Sequence, residues 1–250
     1  MTNEVNDPLL LEGHLSIEAC LKAGFRELYC VYVDEKKRYD RQFATLLRRL
    51  AEKEIEIRYV PRQTIDNRAS GQTHGGLLAE VSEREFVSLD SLIPADRNPF
   101  IVMLDGIEDP FNFGYTVRSL YAAGVDGVVL RPRNWSSAAA VVGRSSAGAS
   151  ESIRMVIAET AQDAADFYAA QGLTIAVTAK SEKSQSIYQT DLCQSLFILL
   201  GGEKRGITRS FMEKASLHLE IDYGRKFGQS LGTVAASSVI AFELMRQRQA

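Results

Sequence analysis

Cysteine is scarce in this sequence, and long apolar runs are missing. Its 250 residues include three cysteines, at Cys20, Cys30 and Cys193. Because they show neither CxxC spacing nor nearby histidines at metal-ligand spacing, we expect no disulfide framework and no metal site. Such cysteine usage is typical of a reducing compartment and favours the cytoplasm. No apolar run is long enough to span a bilayer, and the first residues lack a signal-peptide pattern, so we expect no membrane association.

The common nucleotide-binding and catalytic motifs are also missing. Neither GxGxxG nor GxxxxGK[ST] occurs, which excludes the Rossmann and Walker fingerprints. Three histidines, at His14, His74 and His218, form no catalytic set with serine and aspartate. His218 falls within a predicted strand, where a structural role is the more frequent one.

The charge of the chain leaves its partner open. A formal net charge of −3 disfavours a nucleic-acid partner but does not exclude one, because such binding depends on a local basic face. Basic residues do cluster in one stretch, and they are Lys36, Lys37, Arg38, Arg41, Arg48 and Arg49. From this stretch alone, a solvated helix face is the favoured interpretation.

The apolar pattern divides the chain into two α/β regions, residues 1–93 and 94–250, with Pro94 and Pro99 at the boundary. The first region is predicted to contain helix 14–23, strand 28–33, helix 40–52, strand 55–60 and strand 76–81. The second is predicted to contain strands 100–104, 127–130, 174–179, 196–200 and 217–221, and helices 112–123, 136–146, 160–171 and one from about 230. Near-continuous apolar strands between helices are typical of a parallel sheet covered by helices on both faces.

In parallel sheets of this kind, ligands bind outside the carboxyl ends of the strands, so the loops there are of interest. In the first such loop, residues 104–125, Asn112 stands at a position typical of a helix cap. Phe113 and Leu120 belong to the buried stripe of the helix, so Arg118 points away from the core. Arg118 can be interpreted equally well as solvated surface or as a clamp for phosphate or ribose.

Two further loops contain many glycines. The loop "FILLGGEKRGI", residues 197–207, places Glu203 among its glycines. A turn that requires two residues of positive φ would account for the glycines but not for the acid. The third loop, within residues 222–248, leads through Ser230 into a helix of small residues. Tight helix packing is the simplest interpretation, and a protomer interface or a ligand contact is the alternative.

Taken in order, the three loops resemble the three motifs of the SpoU class of SPOUT RNA 2′-O-methyltransferases. Asn112 and Arg118 match the first motif, and "RSSAGASE" at 144–151 is similar to the Ser-Ala-Gly-Ala segment that follows it. The second motif, Gly-x-Glu-x-x-Gly, is matched by Gly201, Glu203 and Gly206. "SLGTVAASSVIAFE", from Ser230, resembles the third motif. "EGHLSIEACLKAG" and "THGGLLAEV" resemble the small substrate-binding domain, of ribosomal-protein L30e type, that precedes the catalytic domain in many members.

The resemblance implies a fold, a cofactor and an assembly. Residues 1–93 would form an L30e-like RNA substrate-binding domain, and residues 94–250 a SPOUT methyltransferase domain. That second domain would be a parallel sheet with a deep trefoil knot, an exception to the rule that chains do not thread loops. S-adenosylmethionine would bind in the knot. Two copies would form a homodimer through the knotted domains, with Arg118 of one protomer near the cofactor of the other.

The resemblance also implies site residues. The implied catalytic residues are Asn112, Arg118, Glu203 and Ser230. The implied cofactor-binding residues are Leu200, Gly201, Gly202, Gly206, Ile221, Ser230 and Leu231. No metal is implied. The cofactor is an adenosine with a sulfonium rather than a polyphosphate, so backbone groups suffice and no Walker lysine is needed.

The implied activity is S-adenosylmethionine-dependent methylation of an RNA ribose 2′-hydroxyl, with rRNA favoured over tRNA because of the N-terminal domain. Arg118 would position ribose or phosphate and stabilise developing alkoxide charge, since a guanidinium stays protonated and is a poor base. One position departs from the family pattern, because Gly232 stands where the third motif has asparagine. This departure keeps a catalytically weakened RNA-binding protein as an alternative. A tRNA methyltransferase is a second alternative, and a small-molecule binding module, favoured only by the acidic net charge, is a third.

Overall fold

The structure is a computed structural model that describes residues 9–132, 138–202 and 207–249. These residues form two compact units. The first contains the described residues up to Glu85 together with 138–152, and the second contains the rest.

The strands, numbered in chain order, are β1 (Leu9–Glu12), β2 (Leu28–Asp34), β3 (Glu56–Val60), β4 (Leu77–Val81), β5 (Phe100–Asp105), β6 (Gly127–Leu130), β7 (Met155–Ile157), β8 (Thr174–Thr178), β9 (Gln185–Ser186), β10 (Leu196–Gly201) and β11 (Leu217–Glu220). The α-helices are α1 (His14–Ala23), α2 (Ala44–Glu52), α3 (Arg62–Asp66), α4 (Pro110–Ala122), α5 (Ala139–Ser145), α6 (Ala149–Ser152), α7 (Ala161–Ala170), α8 (Arg209–Lys214) and α9 (Thr233–Gln249).

The first unit is built on a mixed four-stranded sheet in the order β1-β4-β2-β3. β4 runs antiparallel to both of its neighbours, whereas β2 and β3 are parallel, with Val33 opposite Tyr59. Because side chains alternate between the faces of a strand, alternate residues of β2 reach one core. That core is formed by Leu11, Ile17, Cys20, Leu21, Val31, Val33, Phe43, Leu46, Leu50, Leu77, Ala79 and Val81.

Residues 138–152 belong to the first unit, although we expected them after the domain boundary. Buried ion pairs account for this placement. The Glu151 carboxylate, 3% exposed, accepts a hydrogen bond of 2.8 Å from Nε of Arg26. Nη1 of Arg144 donates to the buried Glu12 carboxylate at 2.5 Å. Apolar periodicity carries no information on such pairs, so the sequence pattern did not reveal them.

The second unit contains an all-parallel sheet of seven strands in the order β7-β6-β5-β10-β8-β11-β9. One face packs against α7, where Tyr168 is fully buried in the main core cluster. α9 packs against α4 and β10. The predicted parallel α/β sheet with flanking helices is therefore confirmed, whereas the trefoil knot stays a prediction.

The second unit begins earlier in the chain than the expected boundary at residue 94. Residues 86–93 belong to it. Leu92 is buried in its core, and the Tyr168 hydroxyl donates to the Leu89 carbonyl at 3.0 Å. These contacts hold residues 86–93 to the second unit. Because this segment has no regular apolar periodicity, the sequence pattern predicted the boundary too late.

Most predicted strands and helices are confirmed, with ends that shift by a few residues. The predicted helix 40–52 begins only at Ala44, because residues 35–37 form a short 3-10 helix and 38–43 are not α-helical. The elements that the sequence pattern missed are all short, and they are β1, β7, β9, α3, α6 and α8. Their sequences show neither a sustained apolar run nor a helical period of their own. Within the described ranges, no helix has the length and apolar character that a membrane span requires.

Candidate functional site

A cleft of about 1010 Å³ lies at the carboxyl ends of β8, β10 and β11 in the second unit. Its walls are the ends of these strands, the loop 221–232 and the first turns of α9. Its lining includes Thr178, Ala179, Lys180, Leu200, Gly201, Gly202, Leu219, Glu220, Ile221, Tyr223, Arg225, Phe227, Ser230, Leu231, Gly232, Thr233 and Ile240. A cleft at this edge is where a parallel sheet places a ligand.

The β10 wall of the cleft is set by contact between two glycines. Gly202 follows β10, and its N–H donates to the Asp105 carbonyl at 2.6 Å. A Cβ atom on Gly202 would lie 2.0 Å from the Gly106 carbonyl oxygen, so no larger residue fits there without displacing backbone. Neither Gly201 nor Gly202 has positive φ, whereas Gly106 has φ of 83°. Positive φ is therefore not the reason for glycine at positions 201 and 202, and close backbone approach is the reason for Gly202. The rest of the loop, including Gly206, lies outside the described residues, so its interpretation as a turn with two positive-φ residues stays a prediction.

The opposite wall is the loop 221–232, which is tied at both ends by side chains. The Ser186 hydroxyl donates to the Asp222 carboxylate. The Tyr223 hydroxyl accepts a hydrogen bond of 3.0 Å from the Leu231 N–H, which joins the start of the loop to its end. Because most of its residues are exposed, the loop keeps its form through these few bonds rather than through a core.

Gly232 occupies the N-cap position of α9. Its carbonyl accepts the first helical hydrogen bond, from the Ala236 N–H at 3.0 Å. Glycine is acceptable at an N-cap, although asparagine, serine and aspartate are preferred there. Gly232 is exposed and lines the cleft, so the position where the family pattern has asparagine faces the site.

The cleft brings together part of the predicted set of site residues. Those that line it are Leu200, Gly201, Gly202, Ile221, Ser230 and Leu231. Glu203 and Gly206 lie outside the described residues. The roles of all these residues in cofactor binding or catalysis stay predictions.

Asn112 and Arg118 lie on α4 and do not line the cleft of their own chain. Arg118 is exposed, and its guanidinium forms no hydrogen bond or ion pair with any residue that the structure describes. Asn112 was expected at the cap of the helix, but Asp109 is the N-cap, and its carboxylate accepts from the Asn112 N–H at 2.8 Å. Pro110 starts the helix, a position where its missing N–H costs nothing, and this moves the cap three residues earlier than the spacing alone suggested.

The small residues of α9 pack closely against α4. The Ser238 hydroxyl donates to the Ser119 hydroxyl at 2.8 Å, which confirms the tight helix packing expected from the composition. The outer surfaces of the same two helices carry exposed aromatic side chains. They are Phe111, Tyr115, Tyr121 and Phe242, each between 43% and 48% exposed.

Histidine and cysteine take no part in the cleft. His74 is fully buried in the first unit, where its Nδ1 accepts from the Gly76 N–H at 3.2 Å and its Nε2 lies 2.9 Å from Asp66. His218 lies in β11, as predicted. Burial raises the pKa of the Cys20 thiol to about 12, which removes it as a nucleophile. Among the described residues, no group of histidine, cysteine and acidic side chains is arranged to hold a metal.

Several cleft residues were missed at the level of sequence. Thr178, the last residue of β8, and the two residues that follow it line the cleft, and the carboxyl-end rule would have found them had it been applied to that strand. No sequence motif pointed to Tyr223 in the cleft wall or to Gly106 behind it. Their roles depend on partners that are distant along the chain or follow from backbone shape.

The fold and the cleft define a parallel α/β protein with a cleft at the carboxyl ends of its strands, and comparison with known proteins identifies its family. The model described as the SpoU rRNA Methylase family matches residues 99–242, so the chain belongs to that family. A second model, described as RNA 2′-O ribose methyltransferase substrate binding, matches residues 10–87.

Two characterised relatives are similar over nearly the whole chain. The 23S rRNA (guanosine-2′-O-)-methyltransferase RlmB of Pasteurella multocida is 31% identical over 242 residues, which are 95% of this chain and 98% of that protein. The RlmB of Vibrio cholerae is 29% identical over 100% of this chain and 99% of its own length. The SpoU methyltransferase AviRb from Streptomyces viridochromogenes, solved in complex with AdoMet, has a TM-score of 0.80 at 19% identity, covering 98% of this chain and 91% of that one. At that identity, the structural likeness shows the fold alone.

Proposed function

We propose that this protein transfers a methyl group from S-adenosylmethionine to a ribose 2′-hydroxyl of rRNA. The observation that carries the proposal is the cleft at the carboxyl ends of β8, β10 and β11, lined by backbone of the Gly201–Gly202 loop and by the loop 221–232. Family membership and similarity to the RlmB 23S rRNA methyltransferases support the reaction and the rRNA substrate.

The residues of the cleft fit an adenosine-bearing cofactor. Apolar side chains at Leu200, Leu219 and Ile221 offer contacts for a purine ring. Gly201 and Gly202 present backbone without side-chain bulk, and no lysine follows the pattern of a phosphate loop. The bound cofactor supplies an electrophilic methyl group on its sulfonium. Leu200, Gly201, Gly202, Ile221, Ser230 and Leu231 are the described residues that we assign to holding it.

Arg118 is assigned to orienting the RNA rather than to taking a proton. Its guanidinium stays protonated in proteins, so it cannot serve as the base. Exposed and without a partner among the described residues, it is free to bind a phosphate or ribose oxygen and to stabilise negative charge developing on the 2′-oxygen. Much of the rate then comes from holding the hydroxyl in line with the methyl group. Asn112, Glu203 and Ser230 stay in the proposed catalytic set.

We also propose that the active form is a homodimer in which Arg118 of one protomer serves the cleft of the other. Two observations support this assembly. Arg118 does not line the cleft of its own chain, and α4 and α9 expose four large aromatic side chains. Burial of such side chains against a second copy removes apolar surface from water. We propose a cytoplasmic location for the protein, which an rRNA substrate supports.

One observation favours a second candidate function. Because Gly232 faces the cleft without a side-chain amide, a catalytically weakened RNA-binding protein is the alternative. A tRNA substrate is the alternative within the enzyme class.

Tritium transfer from labelled S-adenosylmethionine to total RNA tests the proposal. We expect the Arg118→Ala variant to transfer about 100-fold more slowly, as when one stabilising donor is removed, while calorimetry shows unchanged cofactor affinity. Arg48→Ala, which removes an equally exposed charge in the first unit, is the matched control. Equal counts for Arg118→Ala and the wild type would remove Arg118 from its role. Absence of cofactor binding at high micromolar concentration would overturn the enzyme proposal.

A further inference from the structure

An exposed group of basic and aromatic side chains follows β2 in the first unit. Lys36, Arg38, Tyr39 and Arg41 come from the segment between β2 and α2, and Tyr59 comes from the neighbouring edge strand β3. We call these five residues the Tyr39 surface. Neither the cleft nor the proposed reaction uses them.

Arg38 links the two aromatic rings of the Tyr39 surface. Its guanidinium carbon lies 4.6 Å from the ring centroid of Tyr59 and 5.8 Å from that of Tyr39. Tyr39 is 88% exposed, the highest value among the exposed large hydrophobic residues of the described chain. A ring that protrudes so far makes almost no contribution to the core, so stability does not explain its presence.

The basic residues of this stretch fall into two groups. On α2, Arg48 pairs with Glu52 at 3.6 Å and Arg49 with Glu18 at 3.3 Å, as on an ordinary solvated helix face. Lys36, Arg38 and Arg41 have no carboxylate partner among the described residues. The solvated-face interpretation therefore holds for α2 but not for the Tyr39 surface, which precedes that helix.

We propose that the Tyr39 surface binds a single-stranded segment of RNA, with a base stacked on Tyr39 and the adjacent phosphates contacted by Lys36 and Arg41. Every base offers a flat face to an aromatic ring, and unpaired bases are the ones that can reach it. The planar Arg38 cation, held against the two rings, extends the stacking surface. A duplex presents no free base face, so the protruding ring selects single strands.

The charge of the surface distinguishes RNA from a protein partner. Protein-docking patches have an apolar core in which aromatic residues and arginine are enriched but lysine is depleted. Here the exposed ring stands among Lys36, Arg38 and Arg41, with only Asp40 adding an acid between residues 36 and 41. A positive field around one aromatic ring complements a polyanion that carries bases. The assignment rests on the proposed function for its substrate class and adds where that substrate is held.

Binding of a fluorescein-labelled ten-nucleotide oligoadenosine to the full-length protein, measured by anisotropy without cofactor, tests the proposal. We expect Tyr39→Ala to weaken binding about 10-fold, the size expected for loss of one stacked base. Tyr39→Phe, which keeps the ring, should bind within about twofold of the wild type, whereas Tyr39→Leu should resemble Tyr39→Ala. A self-complementary duplex of the same length should show no dependence on Tyr39.

The dependence on salt tests the phosphate contacts. For single strands, log affinity falls with log salt with a slope of about −0.7 per phosphate contacted. The double variant Lys36→Ala/Arg41→Ala should therefore make the slope less negative by about 1.4. Arg48→Ala, whose arginine is paired with Glu52, should leave the slope unchanged.

Several outcomes would overturn the assignment. If Tyr39→Ala bound the oligonucleotide with wild-type affinity, the assignment would be overturned. Wild-type affinity of Tyr39→Leu would also overturn it, because that result would indicate an apolar contact of the kind that a protein partner makes. Cofactor binding and tritium transfer are read separately from RNA affinity. If transfer persists while Tyr39 has no effect, the surface assignment fails alone. If Tyr39-dependent binding persists without any transfer, the proposed reaction fails alone.

Discussion

In the first unit, buried ion pairs hold together residues that are distant in the chain. In the second unit, close contact between main-chain atoms shapes the wall of the cleft. Arg26 and Glu151 stand 125 positions apart in the chain and meet as a buried ion pair. In the second unit, Gly202 and Gly106 meet through main-chain atoms, with no side chain between them.

The difference teaches how each contact can fail. When one member of a buried ion pair is removed, the other is left as a desolvated charge without its partner. The free energy of unfolding therefore falls strongly. A close contact between two glycine backbones involves no side chain that a substitution could remove. It is disrupted only when a substitution adds a side chain. Four variants test whether charge stabilises the first unit and backbone shape forms the cleft, and they are given in order of decreasing expected effect.

Glu151→Ala should lower the free energy of unfolding by about 3–5 kcal/mol, the range for breaking a buried pair. The variant leaves the Arg26 and Arg84 guanidinium groups buried without their carboxylate. Burial already lowers the pKa of Arg84 to about 10, which indicates how strongly that group is desolvated. Urea unfolding measures the change. Glu52→Ala, which breaks the exposed pair with Arg48, should cost less than about 1 kcal/mol and is the control. Equal losses in the two variants would contradict the charge-based account.

Gly202→Ala should lower the free energy of unfolding by about 1–3 kcal/mol, because the new Cβ overlaps the Gly106 backbone. Displacement of the β10 wall should also weaken calorimetric binding of S-adenosylmethionine by about 10-fold, equal to about 1.4 kcal/mol. Gly228→Ala is the matched control on the opposite wall, since a Cβ there meets nothing within 4 Å. Unchanged stability and affinity for Gly202→Ala would show that the loop yields, against the steric account.

Tyr223→Phe should weaken cofactor affinity about fivefold, equal to about 1 kcal/mol, with little change in the free energy of unfolding. The phenol hydroxyl accepts the Leu231 N–H and so holds the end of the loop 221–232 in place. Titration calorimetry gives the affinity, and urea unfolding gives the stability. Tyr29→Phe, at an exposed position in the first unit, serves as control. A fall in stability without a change in affinity would assign Tyr223 to the fold rather than to the cleft.

Gly232→Asn should have the smallest effect, a gain in stability of a few tenths of a kcal/mol from a better N-cap. If a side-chain amide at this position helps the reaction, the rate of tritium transfer rises about twofold for a gain of about 0.4 kcal/mol in transition-state binding. Gly232→Ala, which adds bulk without an amide, separates the two effects. A slower Gly232→Asn variant would show that this cleft is shaped for glycine.

Much of the fold followed from the pattern of apolar residues. Strands such as 127–130 and the helix 14–23 were predicted with the bounds that the structure has, because each is long or apolar enough to carry its own period. The cap of α4 was misplaced by three residues, since Asp109 and Asn112 both suit a cap and only Pro110 at the first turn decides between them. Within the site, motif order led to Gly201, Ser230 and Leu231, which the cleft brings together.

The sequence by itself determined the two α/β regions, the parallel sheet and the glycine loops at its carboxyl edge, because these depend on local periodicity and on residue types. Only the tertiary structure decided that residues 138–152 join the first unit, that Gly202 is required by the Gly106 backbone, and that Arg118 stands outside its own cleft. The physical reason is the same in all three cases. Ion pairing, steric exclusion and exposure depend on atoms brought together from distant parts of the chain, and no local pattern of residues records which atoms those will be.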